Sequence, residues 1–149
     1  MKLLRAIFSV VLAVVATVLV ACGGATEAKA PPTYTPDTIA AIERYMTPIT
    51  TARSRMDELE TLIEKENWIF ARNFIHGPLG QLRGSMSYVS RSLLPNDQPE
   101  ATKAADEVFQ HLNNIDSAAK ERNYPLARQQ YQEALKDFDA FLKLIPSQS

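Results

Sequence analysis

From Thr35 onward, apolar residues return every three or four positions along the chain. Ile39, Ile42, Met46, Ile49, Ala52, Met56, Leu59 and Ile63 make a first stripe, and Trp68, Ala71, Ile75, Leu79, Leu82, Met86, Val89 and Leu93 a second. Ala101, Ala105, Val108, Leu112, Ile115 and Ala119 make a third, and Ala127, Tyr131, Ala134, Phe138, Phe141 and Ile145 a fourth. That spacing keeps one face of a helix apolar, whereas the period of two that marks a strand is found nowhere. The pattern predicts an all-α protein of four amphipathic helices. Thr35-Pro36 caps and opens the first, Pro95-Asn96-Asp97-Gln98-Pro99 separates the second from the third, and Asn123 with Pro125 opens the fourth. The links at Glu66-Asn67 and Arg122-Asn123 are very short and force antiparallel neighbours. The expected architecture is therefore an up-down-up-down four-helix bundle.

Two prolines fall inside these helices. Pro48 either restarts or kinks the first, and the unbroken stripe across it favours a kink. Pro78, after Gly77, removes the amide that would bond the carbonyl of Phe74, so a bend is expected there with the stripe still in phase from Ile75 to Leu82. Asn67-Trp68-Ile69-Phe70-Ala71-Arg72 and Asn123-Tyr124-Pro125-Leu126-Ala127-Arg128 match at four positions, sharing Asn, Ala and Arg and an aromatic after the Asn. Both are read as one kind of tight helix-to-helix turn: Asn caps, the aromatic closes the core, and Ala allows close approach. Phe70 and Phe74 point away from the apolar stripe, to pack under the N-terminal segment or to meet a partner.

The N-terminal segment has a different build. Lys2 and Arg5 precede an uncharged apolar run from Ala6 to Val20, too short for the roughly 20 residues that span a bilayer and suited to a secretory signal. Cys22, the single cysteine, directly follows Leu19-Val20-Ala21, as in a lipoprotein cleavage site. We expect residues 1–21 to be removed and Cys22 to carry lipid; an ordinary cut near Ala21 leaving a free thiol is the alternative. Residues 22–36 are Gly-, Ala-, Thr- and Pro-rich, a flexible tether able to reach about 40 Å. Residues 37–149 form the helical domain, which has no disulfide available and must stand on packing.

Removing the signal takes two basic residues and moves the net charge from −1 to −3, which gives no reason to expect nucleic acid. Charge within the chain is more informative. No acidic residue lies between Glu66 and Asp97, while Arg72, His76, Arg83 and Arg91 do. At 100° per residue the first three share one stripe, with Arg91 just beside it and Gly80, Gly84 and Ser87 leaving a low surface alongside. A basic, flat face suggests docking; the competing reading pairs the arginines with acids of neighbouring helices. Glu58, Glu60, Glu64 and Glu66 make an acidic, solvated end to the first helix. No nucleophile elbow, phosphate loop, dinucleotide fingerprint or haem-attachment pair is present, so no enzyme and no cofactor is expected. Glu107 and His111, one helical turn apart, are weak candidates for holding a metal.

The segment Arg72-Asn73-Phe74-Ile75-His76-Gly77-Pro78-Leu79-Gly80-Gln81-Leu82-Arg83, after Asn67-Trp68, resembles the PsbQ-like extrinsic proteins of photosystem II in their cyanobacterial lipoprotein form. The likeness covers essentially the whole mature chain. It implies a non-enzymatic, lipid-anchored subunit on the lumenal side of the thylakoid membrane, bound to the photosystem II core and other extrinsic subunits, supporting water oxidation and retention of calcium and chloride. The motif positions Arg72, Asn73, His76, Gly77, Pro78, Gly80 and Arg83 coincide with the basic face, which is then expected, with Arg91, to meet a carboxylate-bearing partner. A different class of function also fits the chain: a periplasmic, lipid-anchored bundle that holds a metal or small ligand between its helices.

Overall fold

The computed structural model describes residues 32–146, in which helix is the only regular element. The expected signal peptide, Cys22 and the expected tether up to residue 31 lie outside the described residues. Six helical segments follow one another: α1 Pro36–Ser54, α2 Met56–Glu64, α3 Trp68–His76, α4 Leu82–Ser92, α5 Gln98–Glu121 and α6 Tyr124–Lys143. Their packing forms a closed ring, with α1 on α4, α2 on α3, α3 and α4 on α5, α5 on α6, and α6 back on α2. The result is a helical bundle around a single core.

Every residue of the second and third predicted stripes is buried in that core. The first and fourth are buried too, apart from Ile39, Met46 and Ile145, which are partly covered. Burial of this apolar surface is the main force holding the helices together. Tyr131, Phe138 and Phe141, all on α6, are the largest wholly enclosed side chains.

The two interior prolines behave differently, and only at Pro78 does the structure depart from the expected bend. The chain stays helical through Pro48 and breaks about two turns later, at Arg55. The hydroxyls of Thr50 and Ser54 donate back to the carbonyls of Met46, Thr47 and Thr51 at 2.9–3.1 Å, a competition that bends helices. Arg55 is then held by a bidentate pair with Glu58 at 2.8 and 2.9 Å and lies over the Phe74 ring, 5.1 Å from its centre. At Pro78 the helix is interrupted outright between His76 and Leu82. The Phe74 carbonyl that Pro78 cannot serve accepts from the Leu79 amide instead, at 3.3 Å. Leu79 is thereby turned inward and the stripe remains in phase, as expected. Phe74 itself is a correction: it is buried in the core, and only Phe70 faces outward.

The repeated Asn-aromatic segments do form one kind of turn. Glu66 and Arg122 both adopt left-handed backbone, with φ of 50° and 56°. The following asparagine amides reach back to the carbonyls of Leu62 and Ala118, each at 2.8 Å, closing the same helix C-cap twice. Ala71 and Ala127 are fully buried one turn later, allowing the close approach. The capping side chain, however, acts only at Asn123, which accepts from the Leu126 amide at 3.2 Å; the Asn67 side chain makes no such bond.

At the opposite end of the bundle, Thr35 caps α1 by accepting from the Thr38 amide at 3.2 Å. Tyr34, although in the predicted tether, is fastened to the domain. Its hydroxyl donates to Asp97 at 2.6 Å and accepts from the Leu94 amide at 3.1 Å.

Candidate functional site

The basic stripe exists and runs along the groove where α3 and α4 meet α5, and that placement changes its meaning. Asp116 on α5 is almost fully buried, with a side chain only 8 % exposed. Three cationic or imidazole groups converge on it. Arg72 donates through Nε to Oδ1 at 3.0 Å, His76 through Nε2 to the same oxygen at 2.9 Å, and Lys120 through Nζ to Oδ2 at 2.8 Å. Burial alone would raise this carboxyl, but the hydrogen bonds from Lys120, Arg72 and His76 outweigh it and hold the group down at about 2. Arg72 is thus tied to an acid of a neighbouring helix, the competing reading of the stripe.

Arg83 and Arg91 are used differently. The Arg83 guanidinium lies over the ring of Phe109 on α5, 4.2 Å from its centre, and Arg91 donates to Ser87 on its own helix at 2.8 Å. Neither meets a carboxylate within 4.0 Å among the described residues, and both are exposed. Between them lies a shallow hollow of about 330 Å³ floored by Ser87, Ser90, Ala105 and Phe109, with Asp106 at its edge. Gly84, on the same helix, has nothing within 4 Å of where a side chain would begin. The low basic surface therefore survives on α4.

The motif glycines have a separate task. A Cβ at Gly77 would stand 2.9 Å from the Asn73 carbonyl oxygen, and one at Gly80 would stand 2.7 Å from that of His76. These residues allow the backbone to fold tightly over the end of α3. They also divide the motif, because Gly80 opens with His76 and Arg83 toward α5, whereas Gly77 and Pro78 line a cleft of about 410 Å³ against Thr47 and Arg55 at the α1–α2 break. Asn73 is exposed on the outer face of α3.

Glu107 and His111 do not converge on a common point. His111 is placed between Gln130, 2.7 Å from Nδ1, and Asp137, 3.2 Å from Nε2, whereas Glu107 meets Lys103 at 3.4 Å. Burial, with Glu107 nearby, pushes the Asp137 carboxyl up. Among the described residues no three His, Cys, Asp or Glu side chains are grouped to hold a metal ion. No helix among them is long and apolar enough to cross a membrane.

Asp116 was missed by the sequence reading, although a signal was present. It lies seven residues after Phe109 and four after Leu112, at the spacing of a core position, where a charged residue needs partners.

These features define an all-helical bundle protein that uses its charges to tie helices together and leaves a flat basic strip on one of them. The chain belongs to the PsbQ family: residues 5–146 match the family described as oxygen evolving enhancer protein 3. It is also 48% identical over 150 residues to CyanoQ of Synechocystis sp., a match that covers 100% of both chains.

Proposed function

We propose that this protein is a non-catalytic extrinsic subunit of photosystem II, an up-down-up-down four-helix bundle held at the lumenal face of the thylakoid membrane by lipid on Cys22. The single observation that carries the reading is the family match across nearly the whole chain. In this reading the bundle stabilises the oxygen-evolving complex and helps it keep calcium and chloride, without ligating the metal cluster. Docking falls to the α4 strip of Arg83, Gly84, Ser87 and Arg91, together with exposed His76 and Asn73, against a carboxylate-bearing surface of the photosystem core or another extrinsic subunit. Arg72 takes part by holding the end of α3 in place through Asp116.

Deleting the protein from its native cell and measuring oxygen evolution tests this. The expected result is a loss of activity that grows when calcium or chloride is withheld and is restored by the reintroduced gene. Equal oxygen evolution with and without the protein under ion limitation would contradict it.

A further inference from the structure

Where α5 packs on α6, the imidazole of His111 reaches two residues of α6 that stand about two turns apart. Nδ1 is 2.7 Å from Oε1 of Gln130, and Nε2 is 3.2 Å from Oδ2 of Asp137. Both ring nitrogens therefore face oxygen. The Gln130 oxygen is held as an acceptor by a second donor, the side-chain amide of Asn114 on α5, at 2.8 Å. An imidazolium carries a proton on each nitrogen and suits both oxygens at once. A neutral ring has one proton and must turn a lone pair toward one of them.

Charge around the ring points the same way. On α6 it meets Asp137, with Glu133 one turn before, and on its own helix Glu107 lies one turn before it. The nearby lysines are engaged with the outer acids, Lys103 with Glu107 and Lys136 with Glu133, each at 3.4 Å. His111 is then the one cationic partner of Asp137 within 4.0 Å among the described residues. Burial first, and then Glu107, push the Asp137 carboxyl up, against the pull of His111 and Lys136. The side chains of His111 and Asp137 are only 21 % and 15 % exposed, so water makes up little of what the pair loses when the ring is neutral. α3 and α4 meet α5 on another side, at Phe109 and Asn113. His76, the other histidine, differs: it is 64 % exposed and shares Asp116 with Arg72 and Lys120.

We infer that His111 is a pH-sensitive latch between α5 and α6, which bridges Gln130 and Asp137 when charged and, when neutral, releases one of them and leaves Asp137 without a cation. The direction follows from the geometry. A contact that needs the protonated ring is present in mild acid and is lost as pH rises through the ordinary imidazole range, near about 6.5. It has a lower limit as well, because protonating the Asp137 carboxyl removes the ionic half of the bridge. The latch is closed between those two titrations. α6 packs on α5 and α2, so opening the seam at His111 lets the last helix separate locally while the Asp116 tie still holds α3 to α5.

This inference does not depend on the photosystem II reading. The protein is purified from its native membranes in mild detergent with a metal chelator present. Melting temperatures are measured from about pH 5.5 to about pH 8 for the wild type, His111→Gln, His76→Gln and Gln130→Glu, a range that brackets the ordinary imidazole value. We expect the wild type to lose about 4 °C across that range, His76→Gln to keep most of this loss, and His111→Gln to show about half of it or less. Gln130→Glu, which sets a carboxylate against each nitrogen, should steepen the loss about twofold. Nitrogen NMR of the wild-type ring, which decides even where a variant fails to fold, should show His111 protonated on both nitrogens at about pH 6. A ring that is neutral there, with its one proton on Nε2, would mean that Gln130 donates to it and overturns the latch. Equal pH dependence in the wild type and His111→Gln overturns it too, as does a pH response that appears only when the chelator is left out.

Discussion

Asp116 determines what the charged residues of α3 can do. A single buried carboxylate holds Arg72, His76 and Lys120, so the apparent surplus of cations on α3 is partly internal wiring between α3 and α5. Its folded pKa of about 2 lies below the ordinary 3.8, so the group contributes stability that is present above the ordinary value and is lost as pH falls through the folded one. Asp116→Asn should therefore cost about 2 kcal/mol at pH 7, with the gap from wild type closing as pH drops from about 4 towards about 2. Denaturant melts at several pH values would check this, and a gap that stayed constant with pH would show that the carboxylate's charge is not what matters. The sequence placed Arg72 and His76 on one stripe correctly but could not give their partner. Periodicity identifies the faces of a helix and is silent on which neighbour each face meets.

Among the elements, the two interrupted rods teach most. The apolar stripes were legible because burial repeats with the helix period, and they remained so across both breaks: Ala52 and Met56 are buried on either side of Arg55, and Ile75, Leu79 and Leu82 across Pro78. The breaks themselves were read less well. The sequence favoured a kink over a restart at Pro48, and α1 does run through it, but the discontinuity falls at Arg55, which no proline marks. Phe74 lay off the drawn stripe and is buried all the same, against Arg55, because the two breaks bring those residues together. The glycines separate the structural from the surface role. Gly80→Ala should destabilise the bundle by about 1–3 kcal/mol, because a Cβ 2.7 Å from the His76 carbonyl forces the turn to move. Gly84→Ala, with open space around it, should instead leave stability unchanged or raise it by up to about 1 kcal/mol through helix propensity. Thermal unfolding of the two variants makes the comparison, and equal losses would remove the distinction.

At the scale of the whole molecule, the bundle has two ends with different chemistry. One is closed by Tyr34 on Asp97 and Leu94, where the chain enters; the other carries the matching turns, the Asp116 cluster and the exposed Ile69 and Phe70. Along the groove between them, α4 presents the arginines that no carboxylate engages among the described residues. The fold class followed from periodicity, and the family from the segment between Asn67 and Arg83. The outward apolar pair was visible in the sequence only as two residues off the stripe, since exposure depends on what the neighbouring helices cover. The proposed lipid on Cys22 would supply attachment to the membrane, and the basic strip on α4 would supply choice of partner. The central claim is that this chain lives on photosystem II. Its most direct test is to solubilise the native membranes gently, separate the complexes by size, and measure where the protein runs. The account predicts that it migrates with oxygen-evolving, chlorophyll-binding complexes and leaves them at high salt. Recovery apart from those complexes at low salt, in membranes where they remain intact, would contradict it.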